Sequence, residues 1–173
     1  MYSLNHFREK IPDIARPYHF RCFFEGGCFS KLGDPQRVVA SLRTANLPDI
    51  MVQEVAINYF GMLYKIAGTP TYGALSVQFL IDAEYEVLKE WKKVLEQVFK
   101  YEEATGPKWS APAVYMGNMT LFQLNTARAN ASVYKLSLAY LSAISPISYN
   151  QESKDLPLTF DATISYSYYN TVG

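Results

Sequence analysis

Residues 158–168, LTFDATISYSY, alternate between apolar and polar side chains without a break. One set of alternate positions is apolar or aromatic: Leu158, Phe160, Ala162, Ile164, Tyr166 and Tyr168. The positions between them are polar: Thr159, Asp161, Thr163, Ser165 and Ser167. Successive side chains of a strand point to opposite faces, so this pattern predicts a β-strand with one face on a core.

The same alternation recurs along the chain. It predicts further strands at residues 18–24, 38–43 and 75–81, and less regular ones at 114–124 and 133–142. No composition break or repeat divides the sequence, and 173 residues suit a single domain, 1–173. The sequence therefore predicts a mainly β domain.

One segment has a different period. Between Tyr85 and Phe99 the apolar residues fall on one side of a helical projection, with Lys, Glu and Gln on the other. Asp82 is a candidate N-cap for this helix, and Gly106-Pro107 prevents the helix from continuing further along the chain. We expect one amphipathic helix over residues 83–101 that flanks the β core.

Residues 44–73 have wider turn spacing than the rest. Strand-like stretches at 53–59 and 62–67 are separated by Gly61 and followed by Gly68-Thr69-Pro70. Turns in a compact domain normally lie closer together, which favours a long hairpin or projecting arm. The alternative is an ordinary pair of strands with a loose turn.

Composition excludes several classes of protein. Sixteen basic and sixteen acidic residues argue against a strongly basic nucleic-acid binder, and 15% aromatic content argues against disorder. No apolar run approaches the roughly 20 residues of a membrane helix. The N-terminal stretch 1–18 is too polar for a signal peptide, so we expect a soluble protein made in a cytoplasm.

The sequence offers no catalytic motif. His6 and His19 accompany no nucleophile motif, the glycines near residue 26 lack a phosphate-loop Lys, and the carboxylates lack metal-loop spacing. Cys22 and Cys28 would lie diagonally across a hairpin with its loop at 25–27, a poor disulfide geometry. We therefore expect buried free thiols, no metal, no cofactor and no enzymatic activity.

Several motifs in order resemble the tail tube protein of contractile-tailed bacteriophages. They are Ala15-Arg16-Pro17, Ala45-Asn46-Leu47-Pro48 followed by Glu54, Tyr64-Lys65-Ile66-Ala67-Gly68-Thr69-Pro70-Thr71-Tyr72, then Leu75-Ser76-Val77-Gln78-Phe79 and the helix start near Ala83. The resemblance covers residues 13–101.

The resemblance implies a β-sandwich or barrel with a flanking helix, in a structural virion protein. Six such subunits close into a ring, rings stack into the inner tail tube, and genomic DNA passes through it into the host without specific binding. The implied partners are further copies of the chain and the sheath, baseplate and tail terminator proteins, with no membrane. The implied location is the virion tail, after assembly in the host cytoplasm.

Three sets of residues become candidate surfaces on this basis. The arm would reach a neighbouring subunit or ring through Leu47, Pro48, Glu54, Lys65, Gly68 and Tyr72. The polar helix face would meet a sheath, or simply be solvated, through Glu86, Lys89, Glu90 and Lys93. The polar positions of the last strand would face the lumen: Thr159, Asp161, Thr163 and Ser165.

Charge adds a hypothesis about assembly. Residues 1–44 hold seven basic and four acidic side chains, whereas 45–84 hold one basic and four acidic. These segments would meet head to tail across a ring interface. Residues 104–173 carry only seven charges, which suggests that their strands are covered by other copies.

Two alternative functions stay open at this point. The chain would serve equally as the inner tube of a non-phage contractile injection system. From a different class, a soluble β-barrel that binds a small apolar ligand would line its cavity with these aromatic residues.

Overall fold

The longest strand, β9 at Asn130–Ile144, organises the fold seen in a computed structural model of the chain. The structure describes residues 18–102, 105–150 and 156–172. The predictions for residues 1–17, including the absence of a signal peptide and the Ala15-Arg16-Pro17 motif, lie outside this part. The other strands are β1 Phe20–Glu25, β2 Leu42–Ala45, β3 Ile50–Tyr59, β4 Met62–Tyr72, β5 Leu75–Leu80, β6 Phe99–Glu102, β7 Gly106–Trp109, β8 Gly117–Leu124, β10 Thr159–Ser165 and β11 Tyr168–Val172.

Strand β9 belongs to both halves of one seven-stranded sheet. Its first part pairs with β8 on one side and β11 on the other, and β1 adds to β8. We call this group the A half. The last part of β9 pairs with β10, followed by β5 and β2, to form the B half. The described strands do not close into a barrel.

The two halves face each other across one core. The A half contributes Cys22, Met119, Leu121 and Leu136, and the B half contributes Phe79, Phe160, Ala162 and Ile164, all buried. Strand β10 has the burial alternation that its sequence predicts, with Phe160, Ala162 and Ile164 buried. The prediction of a mainly β fold is confirmed.

Helix α2, Glu86–Val98, packs against the sheet and contributes Trp91 to the core. This indole is fully buried and contacts the rings of Phe24, Phe29 and Phe79, at centroid distances of 5.3, 6.4 and 4.8 Å. Aromatic pairs at these separations stabilise beyond their burial alone. The predicted amphipathic helix is confirmed, and its buried side closes the core.

The predicted helix bounds, 83–101, are wrong at both ends. Residue Tyr85 has φ 56, and the helix begins after it, although the Asp82 carboxylate still accepts a hydrogen bond from Val87 N at 3.2 Å. The helix stops at Val98 because residues 99–102 pair with β7 as a hairpin. The Phe99 and Trp109 rings, with centroids 4.6 Å apart, hold that hairpin together.

The strand predicted at 38–43 is wrong, because the chain there first forms helix α1, Pro35–Ser41. The Asp34 carboxylate accepts a hydrogen bond from Gln36 N at 2.9 Å, and Pro35 occupies the first turn. An N-cap followed by Pro favours a helix start. Only β2, which begins at Leu42, is extended.

The hairpin predicted around Glu25–Gly27 is also wrong. Residues Gly27–Lys31 form a short 3-10 helix that carries Cys28 and Phe29 into the core. Both Cys22 and Cys28 are nevertheless buried and unbonded, so the prediction of buried free thiols is confirmed. Burial raises the pKa of the Cys22 thiol to about 12.

The strand predicted at 114–124 begins late. Residues Pro112–Tyr115 form a single helical turn, α3, and β8 starts at Gly117. A Cβ at Gly117 would lie 2.5 Å from the carbonyl oxygen of Gly26, so this position requires glycine for close packing. The strand predicted at 133–142 is confirmed and extends in both directions.

Candidate assembly surfaces

The arm, Ile50–Tyr72, is a two-stranded hairpin of β3 and β4 separate from the main sheet. Phe60 and Gly61 form its tip, with φ angles of 46° and 78°. Positive φ at both central residues characterises the type I′ turn that suits hairpin twist. The projecting hairpin predicted from turn spacing is confirmed, and the loose-turn alternative is wrong.

The register of β3 against β4 separates the arm into two faces. Directly paired residues share a face, and Val55 pairs with Ile66, Ile57 with Tyr64 and Tyr59 with Met62. We call these the apolar arm face: Val55, Ile57, Tyr59, Met62, Tyr64 and Ile66. Each of them is at least 40% exposed, and Met62 reaches 76%.

The opposite face of the arm is more polar. It carries Glu54, Ala56 and Asn58 on β3, with Leu63, Lys65 and Ala67 on β4. The Lys65 ammonium lies 2.8 Å from the Glu54 carboxylate. Both predicted arm charges are thus paired with each other within one hairpin.

A bulge interrupts the arm between Val52 and Glu54. Gly68 lies there, and a Cβ on it would come within 2.9 Å of the Gln53 carbonyl oxygen. A backbone atom cannot move aside easily, so the bulge requires glycine at this position. This gives the predicted arm residue Gly68 a definite structural role.

The base of the arm is anchored by tyrosine rings. Tyr72 contacts Tyr166 and Tyr169, at centroid distances of 6.0 and 5.9 Å. Burial, and then the nearby Asp49 carboxylate, raise the pKa of Tyr166 to about 12. Of the other predicted arm residues, Pro48 is buried at this base, whereas Leu47 is 50% exposed.

The predicted sheath-facing residues divide into two pairs. Glu86 forms an ion pair with Arg37 of α1, and Glu90 has a carboxylate oxygen 2.9 Å from where a Cβ on Gly33 would be. These two carboxylates therefore face α1 and the turn before it. Lys89 and Lys93 are exposed, and Lys89 Nζ donates to the Glu84 carbonyl oxygen at 3.0 Å.

The predicted lumen-facing residues do share a face, on the outside of the B half. Thr159, Asp161, Thr163 and Ser165 are all half-buried, opposite to the buried side of β10. Gln78 donates to the Asp161 carboxylate at 3.1 Å. In register on β5, Ser76 lies beside Thr163, so the polar surface continues across strands.

The outside of the A half differs in chemistry. Arg21, Phe122, Val133 and Val172 lie side by side across β1, β8, β9 and β11. The Phe23 ring, 40% exposed, packs edge-on against Phe122 at a centroid distance of 5.5 Å. We call the apolar members the A-half strip: Phe23, Phe122, Val133 and Val172.

Two searches of the described residues were negative. No three His, Cys, Asp or Glu side chains gather there in a way that would hold a metal ion. Within the same residues, no helix combines the length and the apolar character needed to cross a membrane.

Comparison with known proteins identifies the family. The model of the phage tail tube protein family matches residues 19–172. The chain belongs to the phage tail tube protein family. The family is one of structural proteins, in agreement with the resemblance found in the motifs between residues 13 and 101. No curated protein matches the chain.

Solved structures share this tail tube fold along almost the whole chain. One chain of the anti-feeding prophage baseplate, 6-fold symmetrised, has a TM-score of 0.68 at 11% identity, with 94% of this chain and 98% of that chain covered. One chain of the PVC sheath-tube complex, from an extracellular contractile injection system in its extended state, has a TM-score of 0.65 at 13% identity, with 99% of each chain covered. The similarity therefore lies in the fold.

Two surfaces of this tail tube protein were not predicted as sites: the apolar arm face and the A-half strip. The arm face was open to prediction, because Phe60-Gly61 as a two-residue turn fixes which residues pair. The A-half strip was not, because it depends on the neighbours that β1, β8, β9 and β11 acquire only in the sheet.

Proposed function

We propose that this chain is the subunit of the inner tube of a contractile phage tail. In this role it is a structural virion protein whose hexameric rings stack into a conduit for DNA ejection into the host. The observation that carries the proposal is the arm, a long hairpin with an exposed apolar face, on a domain of tail tube fold. An isolated monomer would leave that face in water.

The comparisons support a role in a tube. The described fold matches, nearly end to end, a chain from a sheath-tube complex and one from a baseplate determined with six-fold symmetry. A further match, with a TM-score of 0.67, comes from a sheath/tube terminator. We propose sheath, baseplate and terminator proteins as partners of this chain, with Lys89 and Lys93 on the sheath side.

We propose that the outside of the B half lines the bore. DNA transit requires a wall without phosphate-binding cations, since each Lys or Arg contact strengthens binding. The face formed by Thr159, Asp161, Thr163 and Ser165 carries one carboxylate among hydroxyl groups. The outside of the A half carries Arg21 and Lys135, which makes it the less suitable wall.

A non-phage contractile injection system is the second candidate, because the structural matches include an anti-feeding prophage and an extracellular injection system. Mass spectrometry of purified particles separates the two. Detection of this chain in particles with DNA-filled heads supports the phage tail, and detection in headless particles alone supports the injection system.

The ligand-binding barrel has less support. Its cavity would need the space that Trp91, Phe79 and Phe160 fill with stacked and tilted rings. A groove of about 430 Å³ does exist, lined by Tyr18, Phe20, Val39, Leu42, Arg43 and Thr44. It lies beside α1 rather than between the two halves of the sheet.

Negative-stain electron microscopy over a rising concentration series tests the proposed function. We expect rings or open-ended tubes above a threshold concentration. Uniform small particles at every concentration would contradict it, and a search for a bound ligand by mass spectrometry would then be the next measurement.

A further inference from the structure

Two short connectors join the arm to the rest of the domain. Residues 46–49 lead from β2 into β3, and residues 73–74 lead from β4 into β5. The pairing of β2 with β5 ends in a backbone hydrogen bond from Asn46 N to the Ser76 carbonyl oxygen, at 3.2 Å, and the pairing within the arm begins at Ile50 and Tyr72. The strand ladder is therefore interrupted at the base of the arm, and the two connectors form a hinge there.

The arm is exposed beyond these connectors. Every residue of β3 is exposed, and in β4 only Gly68 and Tyr72 are half-buried. Strand β3 has ten residues and extends about 33 Å, so a swing of about 10° at the base would displace the tip by about 6 Å. The direction of the arm therefore depends on what holds its base.

Four tyrosine rings meet at this base, and we call them the tyrosine cluster. Tyr72 ends β4, Tyr134 belongs to β9 and Tyr169 to β11, and Tyr166 lies between β10 and β11. The ring centroids are 6.0 Å apart for Tyr72 and Tyr166, 5.9 Å for Tyr72 and Tyr169, 6.3 Å for Tyr166 and Tyr169, and 5.9 Å for Tyr134 and Tyr169. Aromatic pairs at such separations attract each other beyond the effect of buried area.

The members of the cluster differ in what they are attached to. Tyr134, Tyr166 and Tyr169 pack against the hydrophobic core, whereas Tyr72 belongs to the arm. The first three rings therefore form a fixed seat, and the arm enters this seat through the Tyr72 ring. Within the described residues the buried Tyr166 hydroxyl has no hydrogen-bond partner, so at this atom the cluster is held by ring packing rather than by a hydrogen bond.

The connectors have contacts of their own. Pro48 is buried in the first connector, and its ring fixes the φ angle there. The Asp49 carboxylate occupies the space that a Cβ on Gly73 would need, so the two connectors pack against each other. These contacts hold the connectors together, whereas Tyr72 joins a strand of the arm to the domain.

We propose that the tyrosine cluster fixes the direction of the arm in the single chain, with the Tyr72 ring as the contact that closes the hinge. The cluster acts before the arm meets any other molecule. An arm that is already held in one direction loses less conformational entropy on binding, which favours association. This role belongs to the single chain and does not depend on the proposed tube function.

A distance measurement between two spin labels tests this role in dilute, monomeric protein. The double variant Asn58→Cys/Lys92→Cys carries one nitroxide near the arm tip and one on α2, both at exposed positions, while Cys22 and Cys28 are buried. Pulsed electron paramagnetic resonance then gives the distribution of distances between the two labels. With the wild-type tyrosine cluster we expect a single narrow peak.

Substitutions of Tyr72 separate ring packing from the backbone. In Tyr72→Ala the narrow peak should be lost to a broad distribution, because the arm can then swing on its connectors. Tyr72→Phe keeps the ring and should retain the narrow peak. The matched control Tyr64→Ala removes an exposed ring of the arm away from its base, and should also retain the peak. All three variants should keep the wild-type melting temperature within a few degrees, because neither Tyr72 nor Tyr64 belongs to the buried core.

Each of the other outcomes would overturn this role. A broad distribution with the wild-type cluster would show that the cluster does not hold the arm. A narrow peak in Tyr72→Ala would show that the connectors, with the buried Pro48, suffice on their own. A broad distribution in Tyr72→Phe or Tyr64→Ala would show that the packing of the Tyr72 ring is not the cause. Failure of the wild-type chain to form tubes would contradict the proposed function and leave the result for the arm unchanged.

Discussion

The Glu54 carboxylate and the Lys65 ammonium lie 2.8 Å apart, on neighbouring strands of a hairpin that projects from the main sheet. Both side chains are more than half exposed. An exposed pair of this kind contributes about 0–1 kcal/mol. These charges satisfy each other inside one arm, which weakens the hypothesis that the acidic middle segment uses them across a ring interface.

Reversing this pair should leave assembly intact. The double variant Glu54→Lys/Lys65→Glu keeps an ion pair on the same face, so we expect tubes at the wild-type concentration by electron microscopy. Glu54→Lys alone places two ammonium groups together and should raise the concentration needed for tubes. Loss of assembly in the double variant would show that a neighbouring copy recognises these charges.

Glycine 68 should be needed for the arm but not for the core. In Gly68→Ala the new Cβ lies 2.9 Å from the Gln53 carbonyl oxygen, so the bulge must shift, at a cost of about 1–3 kcal/mol. We expect loss of tubes with little change in the melting temperature. The matched variant Gly73→Ala meets only the side-chain end of Asp49, which can rotate away, so it should assemble more readily than Gly68→Ala. Equal assembly of both variants would contradict the role of the bulge.

Trp91 should be a highly sensitive core position. Trp91→Ala removes a fully buried indole with three ring contacts, and should lower the free energy of unfolding by about 3–5 kcal/mol. Trp91→Phe should cost less, because it also removes a buried Nε1–H without a described hydrogen-bond partner. Exposed Lys92→Ala is the control, with an expected change within about 0.5 kcal/mol. Denaturant titrations measure all three.

Alkaline pH should destabilise the fold. The pKa of Cys22 is about 12 in the native state and 9.0 for an ordinary thiol, so the unfolded chain loses its proton first. The contribution of the Cys22 thiol to the free energy of unfolding is therefore fully present below pH 9. It falls by about 1.4 kcal/mol per pH unit as the pH rises towards 12. Tyr166, with its pKa also raised to about 12, acts in the same direction above its ordinary value of 10.0.

Denaturant unfolding at pH 8 and at higher pH checks this slope. Cys22→Ala should be less stable at pH 8, since it leaves a cavity, but its stability should depend less on alkaline pH. A wild-type stability that is unchanged between pH 9 and 11 would contradict the burial of the thiol.

A cationic side chain on the outside of the B half should make the proposed wall of the bore bind DNA. Thr163→Lys leaves the Gln78–Asp161 hydrogen bond intact and adds an ammonium group to the proposed bore. We expect variant tubes to retain DNA in a salt-dependent way, measured by co-sedimentation, whereas wild-type tubes do not. Retention by Asn118→Lys, on the outside of the A half, but not by Thr163→Lys would place the bore on the other half.

Local pattern predicted the parts of the fold in which one face of a strand is buried. The alternation from Leu158 to Ser165 is reproduced in β10. A one-residue shift in strand register would expose the side chains of Phe160 and Ile164 to water, so the buried face fixes the register. The alternation at 38–43 failed, because it covers only six residues and competes with the Asp34 cap and Pro35. There the start signal of the helix was the stronger local cue.

Surfaces were harder to predict than elements. Glu86 and Glu90 share the polar face of an amphipathic helix, yet Glu86 forms an ion pair with Arg37 of α1 and Glu90 lies beside Gly33, in the turn before α1. Those contacts join segments about 50 residues apart, and a helical projection contains no information about them. The arm was predicted as a projection, but its apolar face follows from the pairing of Ile57 with Tyr64.

Phe60 at the arm tip has φ 46, a backbone conformation that asparagine or glycine adopts with less strain. The same residue exposes 89% of its surface at the far end of the hairpin. A Phe60→Asn variant should therefore stabilise the hairpin of the free subunit and weaken its contacts with other chains. The free subunit therefore carries backbone strain at Phe60 and in return presents a large aromatic ring at the end of the arm. A screen that selects for thermal stability alone would replace this residue first.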